Sequence, residues 1–325
     1  MVNLIQCELC PRYCILAPGQ KGECRIRVNV DGKLTALTYG HPCSIHIDPM
    51  EKKPLYHFLP GTPILSLATV GCNLHCKNCQ NWEISQAEPT DIETEYISPQ
   101  DIVNLAIKYK CPSIAYTYTE PLAYYEYTYD CCKYAFEVGV KNVLVTAGFI
   151  NEEPYKLLIP LIHATNIDLK GFSEKFYQEV CDGSLKPILR TLELTKQAGK
   201  ELEVTNLVIP TLNDSDEDFR QLSKWIASNL GADTPLHFSQ FYPRYKMTNL
   251  PPTPLETLIR AREIAISEGL LYVYIGNIRH RESSITYCPK CKSELVERYG
   301  FNVIKNLLNK GKCPYCGTLI YGVWE

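Results

Sequence analysis

Residues 71–85 read GCNLHCKNCQNWEIS and set Cys72, Cys76 and Cys79 at the spacing C-x3-C-x2-C. Three thiols within eight residues fall one short of the four that close a tetrahedral metal site. Either a fourth ligand comes from elsewhere, such as His75 or a distant cysteine, or the position stays open for chemistry. Directly upstream, residues 64–70 form a short β-rich run, and Gly71 lets the backbone turn out of it into a loop. The triplet therefore sits at the carboxyl end of a strand, and what surrounds that strand decides the fold.

From residue 61 to residue 280 short β-rich runs alternate with longer helical ones, the pattern of consecutive βα units and a parallel sheet. Strands are predicted at 64–70, 113–118, 142–147, 165–169, 202–209, 236–241 and 271–275. Between them, Ser98-Pro99 starts a helix with an apolar face at Ile102, Leu105 and Ala106; Pro121 starts a second, and Ser215 caps a third. Six or seven such units make a barrel or a doubly wound sheet, and both gather ligands at the carboxyl ends of their strands. Those ends carry Cys72, Thr119, Glu120, Thr146, Asp168, Lys170, Asn206, His237 and Asn277, a polar set lining one mouth.

The 33 basic and 36 acidic residues nearly cancel at a net charge of -3, which leaves no footprint for nucleic acid or an anionic membrane. No apolar run approaches the roughly 20 residues that span a bilayer, and MVNLIQCELC has no signal-peptide character, so the protein is expected in the cytoplasm. Sixteen cysteines in a reducing compartment point to metal ligation. At 281–325, CPKC and CPYC set Cys288, Cys291, Cys313 and Cys316 as a four-cysteine zinc ribbon, with rubredoxin-type iron as the other occupant. At 1–60, a cysteine-rich module with a hairpin over GKLTALTYG offers Cys7, Cys10, Cys14 and Cys24 to structural zinc or to a second iron–sulfur cluster. Cys111, Cys131, Cys132 and Cys181 read as small buried hydrophobes, Cys43 is undecided, and Lys52, Lys53 and His57 read as a solvated loop.

Three thiolates on a four-iron cube leave one iron free for another ligand. That triplet after the first strand of a βα array resembles the radical S-adenosylmethionine (SAM) superfamily, which implies a partial (β/α)6-type TIM barrel at 61–280. The resemblance continues in TYTEP, where Thr119 and Glu120 stand in for a Gly-Gly-Glu-Pro run that fixes the methionine amine, and in IDLKGF, which matches the Asp-Leu-Lys run of glycyl-radical activating enzymes through Asp168 and Lys170. His237 in PLHFSQFYP corresponds to a histidine near adenosine, and Gln80 falls among the cofactor contacts. Relatives place an aromatic residue before the third cysteine; here it is Asn78, able to hydrogen-bond the base, with Trp82 nearby to supply a ring.

With HIDPMEKKPLYHFLPG, LVIPTLND, FYPRYKM and YIGN, the whole chain is similar to the AmmeMemoRadiSam-system radical SAM branch, of the pyruvate formate-lyase activating enzyme kind. The resemblance implies a 4Fe-4S cluster on Cys72, Cys76 and Cys79, reductive cleavage of SAM to a 5′-deoxyadenosyl radical, and hydrogen abstraction from a substrate, a protein if the activase analogy holds. It also implies a low-potential electron donor such as ferredoxin or flavodoxin. On the residues alone a zinc-binding scaffold and an iron–sulfur electron-transfer protein stay open.

Overall fold

The computed structural model describes residues 3–325. Its centre is an eight-stranded sheet of β1 (Ser44–Pro49), β2 (Pro63–Ala68), β3 (Ser113–Tyr116), β4 (Lys141–Thr146), β5 (Ala164–Asp168), β6 (Glu201–Val208), β7 (Leu236–Gln240) and β8 (Val273–Gly276). Neighbours in the sheet are neighbours in sequence. From β2 to β8 every pair is parallel, while β1 runs antiparallel to β2, pairing Ser44 with Ala68 and Pro49 with Pro63. β8 and β1 are the two edges, so the barrel is partial and open.

Six helices cross between the parallel strands: α1 (Pro99–Lys108), α2 (Tyr125–Glu137), α3 (Glu152–Leu158), α4 (Leu185–Gln197), α5 (Asp216–Asn229) and α6 (Leu255–Ser267). The six βα units match the sequence expectation, and β8 adds a seventh parallel strand. Ser98 Oγ accepts the Asp101 N–H at 3.2 Å with Pro99 in the first turn, and Ser215 with Asp218 forms a capping box. After Pro121 the helix begins only at Tyr125, because residues 121–124 first make a turn with the Ala123 N–H on the Glu120 carbonyl. Strands buried on both faces read as continuous apolar runs, which is why β2, β3 and β7 were legible.

β1 lies inside the span expected to be the N-terminal module, yet it is hydrogen-bonded as the edge of the central sheet. The N-terminal module proper is two hairpins, Ile5–Gln6 with Ile15–Leu16 and Arg27–Val30 with Lys33–Ala36; the second turns through Asp31 and Gly32, both at positive φ. It docks at the carboxyl end of the barrel. A Cβ at Gly71 would stand 2.5 Å from Ile26 Cγ2 and 2.9 Å from the Cys24 carbonyl oxygen, so only glycine allows this approach.

The C-terminal module, a three-stranded antiparallel sheet of Thr286–Tyr287, Glu294–Tyr299 and Asn302–Asn306, docks at the opposite, amino end. Its tail pairs with the loop before β2: the Leu59 N–H meets the Val323 carbonyl and the Val323 N–H the His57 carbonyl, both at 2.7 Å. Gly322 is required here, since a Cβ would fall 2.4 Å from the His57 oxygen. Among the described residues no helix is long and apolar enough to cross a membrane.

Lys53 and His57, expected in a solvated loop, are buried, and only Lys52 is exposed. Asp48 accounts for the lysines, taking Lys52 Nζ at 2.8 Å and Lys53 Nζ at 2.6 Å. His57 Nδ1 donates to the Tyr321 carbonyl at 2.6 Å, which leaves Nε2 to accept from Tyr274 Oη at 2.7 Å. Burial pushes its pKa down to about 4 against the pull of Glu203. An unfolded histidine takes up its proton near pH 6.5 while the folded one resists until about 4, so His57 support is complete above 6.5 and lost as pH falls through that window. The loss amounts to about 3 kcal/mol. Urea midpoints of the wild type and His57→Gln should therefore converge between pH 7 and pH 5.

Candidate active site

The loop that follows β2 holds its three thiols in place with its own backbone. Gly71 N–H donates to the Ile84 carbonyl at 3.0 Å, Leu74 N–H lies 3.4 Å from Cys72 Sγ, and Ser85 Oγ, in the turn Trp82–Ser85, is 3.1 Å from Cys79 Sγ. From below, the tight turn Tyr177–Cys181 supplies the Cys181 carbonyl to the His75 N–H at 3.0 Å and the Val180 carbonyl to the Lys77 N–H at 2.9 Å.

Glu120, after β3, is 1% exposed and accepts from Thr146 Oγ1 at 2.5 Å, Ala147 N–H at 2.8 Å and Leu122 N–H at 3.1 Å. Asp168 and Lys170 leave β5 on the same side, as alternate residues do, with Nζ 2.7 Å from Oδ2. The loop carrying them is fixed by the Lys170 N–H on Tyr177 Oη at 2.9 Å and by Asn213 Nδ2 on the Lys170 carbonyl at 2.8 Å. These groups feel one another's charge. Burial, then the Glu120 carboxylate, push the Cys72 thiol well up; burial raises Cys79 against the Ser85 hydroxyl; and Cys76 is drawn down by Cys181 and then by the Lys170 ammonium, against its burial. Cys72, Cys76, Cys79, Glu120, Asp168 and Lys170 thus lie together at the mouth.

Asn78 joins them. It is 7% exposed, and its Oδ1 is buried with no hydrogen-bond partner, an acceptor aimed at something the protein does not supply. The other sequence candidates lie apart from the thiols or are already engaged. Thr119 Oγ1 is spent on the Thr69 carbonyl at 2.8 Å, and Gln80 is exposed. His237 is the second residue of β7, near its amino end, where Nε2 meets Glu203 Oε2 at 2.5 Å in the buried network around His57. Its predicted place beside adenosine is thereby corrected: the strand starts at Leu236, which puts His237 at the wrong end of it. Trp82 stacks on Tyr245, ring centroids 5.2 Å apart and 11° from parallel.

Two features bear on the missing fourth ligand. His75 has both ring nitrogens engaged, Nδ1 with Asp182 Oδ2 at 2.6 Å and Nε2 with the Glu23 carbonyl at 3.1 Å, so it does not complete a zinc knuckle. Cys181, taken from sequence as a small buried hydrophobe, is buried in the same cluster as Cys76 and draws that thiol down while its own is pushed up. A thiol beside one ligand sulfur is placed to support that ligand, since ligands on different irons of a cube stand apart. Nothing in the sequence marked Cys181, 105 residues downstream of Cys76.

At the other end of the chain the four thiols do converge. Cys288 Sγ is 3.5 Å from Cys316 Sγ and Cys291 Sγ is 3.6 Å from Cys313 Sγ, close to the roughly 3.8 Å that tetrahedral bonds of 2.3 Å impose. Among the described residues this is the one group of three or more histidine, cysteine or carboxylate ligand atoms lying within 4.8 Å of one another. The central thiols do not close to that one-ion spacing.

The radical SAM superfamily model matches residues 66–226, from β2 into α5, a span that includes the three thiols, Glu120, Asp168 and Lys170. The chain belongs to the radical SAM superfamily. An uncharacterized protein of Methanocaldococcus jannaschii is 49% identical over 320 residues, covering 98% of this chain and 95% of that one. Among solved structures, Streptococcus suis SuiB bound to precursor peptide SuiA superposes with a TM-score of 0.53 at 15% identity, over 71% of this chain and 52% of that one. A radical SAM methyltransferase from Sphaerobacter thermophilus gives 0.50 at 14% identity, over 69% and 68%. These two likenesses are of fold. Membership in the superfamily brings SAM-dependent radical chemistry at an iron–sulfur centre.

In this radical SAM chain Asn78 makes a specific prediction. If its orphaned Oδ1 accepts from SAM, Asn78→Ala removes about one hydrogen bond, worth about 1 kcal/mol. The KM for SAM should rise roughly five- to tenfold with kcat nearly constant, as steady-state 5′-deoxyadenosine formation would reveal.

Proposed function

We propose that the chain cleaves SAM reductively to a 5′-deoxyadenosyl radical and uses it to take a hydrogen atom from a protein or peptide. The observation that carries this is the convergence of three thiols short of a closed set with a carboxylate, an Asp–Lys pair and an unpartnered amide oxygen at one mouth. Bound to Cys72, Cys76 and Cys79, a 4Fe-4S cluster supplies the electron and an open iron for the methionine end of SAM. The chain's own residues do the positioning. Lys170, held by Asp168, offers an ammonium to the methionine carboxylate, Glu120 offers a buried carboxylate to its amine, and Asn78 Oδ1 accepts from adenine.

A macromolecular substrate is supported by where the modules sit. The C-terminal module docks at the amino end, away from the mouth, and only the N-terminal module borders the carboxyl end. In SuiB a chain of this fold is bound to a precursor peptide. A low-potential one-electron donor of the ferredoxin or flavodoxin kind is the implied partner, and zinc is the ion we assign to the C-terminal tetrad. The test is anaerobic reconstitution with iron and sulfide, then SAM and a strong reductant. Protein carrying a full cluster that forms no 5′-deoxyadenosine overturns the proposal; deuterium passing from a labelled candidate protein into 5′-deoxyadenosine identifies the substrate.

A further inference from the structure

A groove of about 540 Å³ runs between the amino end of β6 and the C-terminal tail, at the end of the barrel opposite the thiols. We infer that it binds a small molecule of the amino-acid class, with its ammonium on the Glu201 carboxyl, its carboxylate at a rim of lysines and an apolar side chain against the tail. The volume falls within the roughly 300–1,000 Å³ of ordinary ligand sites.

Glu201 carries the assignment. It lines the groove as the first residue of β6 and is 5% exposed, and among the described residues neither of its buried carboxyl oxygens has a hydrogen-bond partner. Glu203, two residues on and so on the same face of the strand, is supplied by the His57 N–H at 2.6 Å and by His237 Nε2 at 2.5 Å. Glu201 has no such donor. Burial, then the Glu203 carboxylate, push its carboxyl pKa well up. Lys196 opposes them through its charge alone, because its ammonium is taken by Asp233 Oδ1 and Thr234 Oγ1, both at 3.1 Å. A buried acceptor left unsatisfied is destabilising, and a ligand ammonium brings both the donors and the countercharge that let this carboxyl ionise. Since no hydrogen bond holds it, the carboxyl is free to swing into the groove by rotation about its own side-chain bonds.

The remaining wall selects the body of the ligand. Leu319 and Val323 border the groove as exposed apolar residues. Trp324 is already fixed, with Nε1 on the Ile320 carbonyl at 3.1 Å and its ring so near Gly311 that a Cβ there would stand 2.9 Å from Trp324 Cδ1. An aromatic side chain covers these surfaces. Lys200, Lys310 and Glu325 also border the groove, two cations against one carboxylate, a rim that repels a polyamine and accepts a carboxylate. The same tail pairs with the barrel, Val323 meeting Leu59 and His57, so the occupant ties the C-terminal module to the barrel floor.

The test is calorimetric titration of the full-length, metal-loaded protein, with excess SAM present, using L-phenylalanine, 2-phenylethylamine and 3-phenylpropanoate as probes. L-phenylalanine should saturate and bind most tightly of the three. Glu201→Gln should weaken L-phenylalanine and 2-phenylethylamine by at least about tenfold and leave 3-phenylpropanoate unchanged. Lys310→Ala, at an exposed position that the fold does not depend on, should weaken L-phenylalanine and 3-phenylpropanoate about two- to fivefold and leave 2-phenylethylamine unchanged. Amide exchange at Leu59 and Val323 should slow when L-phenylalanine is bound. The assignment is overturned if none of the probes saturates, if Glu201→Gln binds L-phenylalanine as the wild type does, or if 3-phenylpropanoate binds more tightly than L-phenylalanine. None of these outcomes bears on SAM cleavage, which belongs to the other end of the barrel.

Discussion

Cys76→Ala is expected to empty the central site of iron and sulfide and to reduce SAM cleavage to background. The fall should exceed by far the roughly 10- to 100-fold that losing a supporting hydrogen bond around a metal costs. The triplet is already one ligand short, so removing a second leaves two thiolates for four irons, and no neighbour is free to substitute. His75 has both nitrogens committed to Asp182 and Glu23. Cys181 is buried in the same cluster and lies beside the sulfur that has been removed. Cys181→Ala is therefore the informative partner variant. It should retain iron and sulfide while shifting the midpoint potential, because it removes a neighbour of Cys76 and not a ligand. If instead Cys181→Ala loses the cluster and Cys76→Ala keeps it, the open site is misassigned and the electron-transfer alternative gains the ground.

The residues that were legible in sequence are those whose signal is local. Cys72, Cys76 and Cys79 announce themselves by spacing, Glu120 by its place between a strand and a proline, and Asp168 and Lys170 by alternation at a strand end. Their meeting follows from parallel topology alone, since every carboxyl end of a parallel sheet faces one side. Long-range pairing is what stayed hidden. β1 pairs antiparallel across a loop that binds the C-terminal tail, and nothing in SIHIDP distinguishes it from an irregular segment. Lys53 and His57 look like a charged loop until Asp48, Glu203 and Tyr274 arrive from three strands to bury them. His237 failed for a smaller reason: the strand is where the sequence puts it, but His237 is its second residue and so lies at its amino end, not at the carboxyl end that forms the mouth. Asn78 was read as a departure from an aromatic pattern, and only burial shows its carbonyl to be an unsatisfied acceptor.

Removing the metal from Cys288, Cys291, Cys313 and Cys316, by chelation or by Cys313→Ser, should unfold the C-terminal module and leave the barrel intact. The module has little else to hold it. Its buried apolar cluster includes Leu295, Val296 and Ile320, but Cys288 and Cys313 are themselves buried members, and the remaining buried members, Tyr56, Tyr272 and Tyr274, come from the barrel side. Free-energy contributions of structural zinc sites are on the order of 10 kcal/mol at neutral pH, far beyond what a few aliphatic side chains at about 1.5–3 kcal/mol each replace. The consequence reaches the amino end of the barrel. Arg298 donates to the Tyr56 carbonyl at 2.6 Å and faces Glu51, and Trp324 packs 5.1 Å from the His57 ring, so loss of the module uncovers a carboxylate and a histidine that burial had shifted. Amide exchange should accelerate across 286–306 and in the loop at 57–59, tryptophan emission should move to the red, and the His57-dependent stability slope between pH 7 and pH 5 should flatten. Iron at Cys72, Cys76 and Cys79 should be retained, because the module docks at the end of the barrel opposite the thiols. Unchanged exchange after complete metal loss would show that packing against the barrel, and not the ion, holds the module; parallel loss of the central iron would mean that the two ends of the barrel are coupled through the sheet.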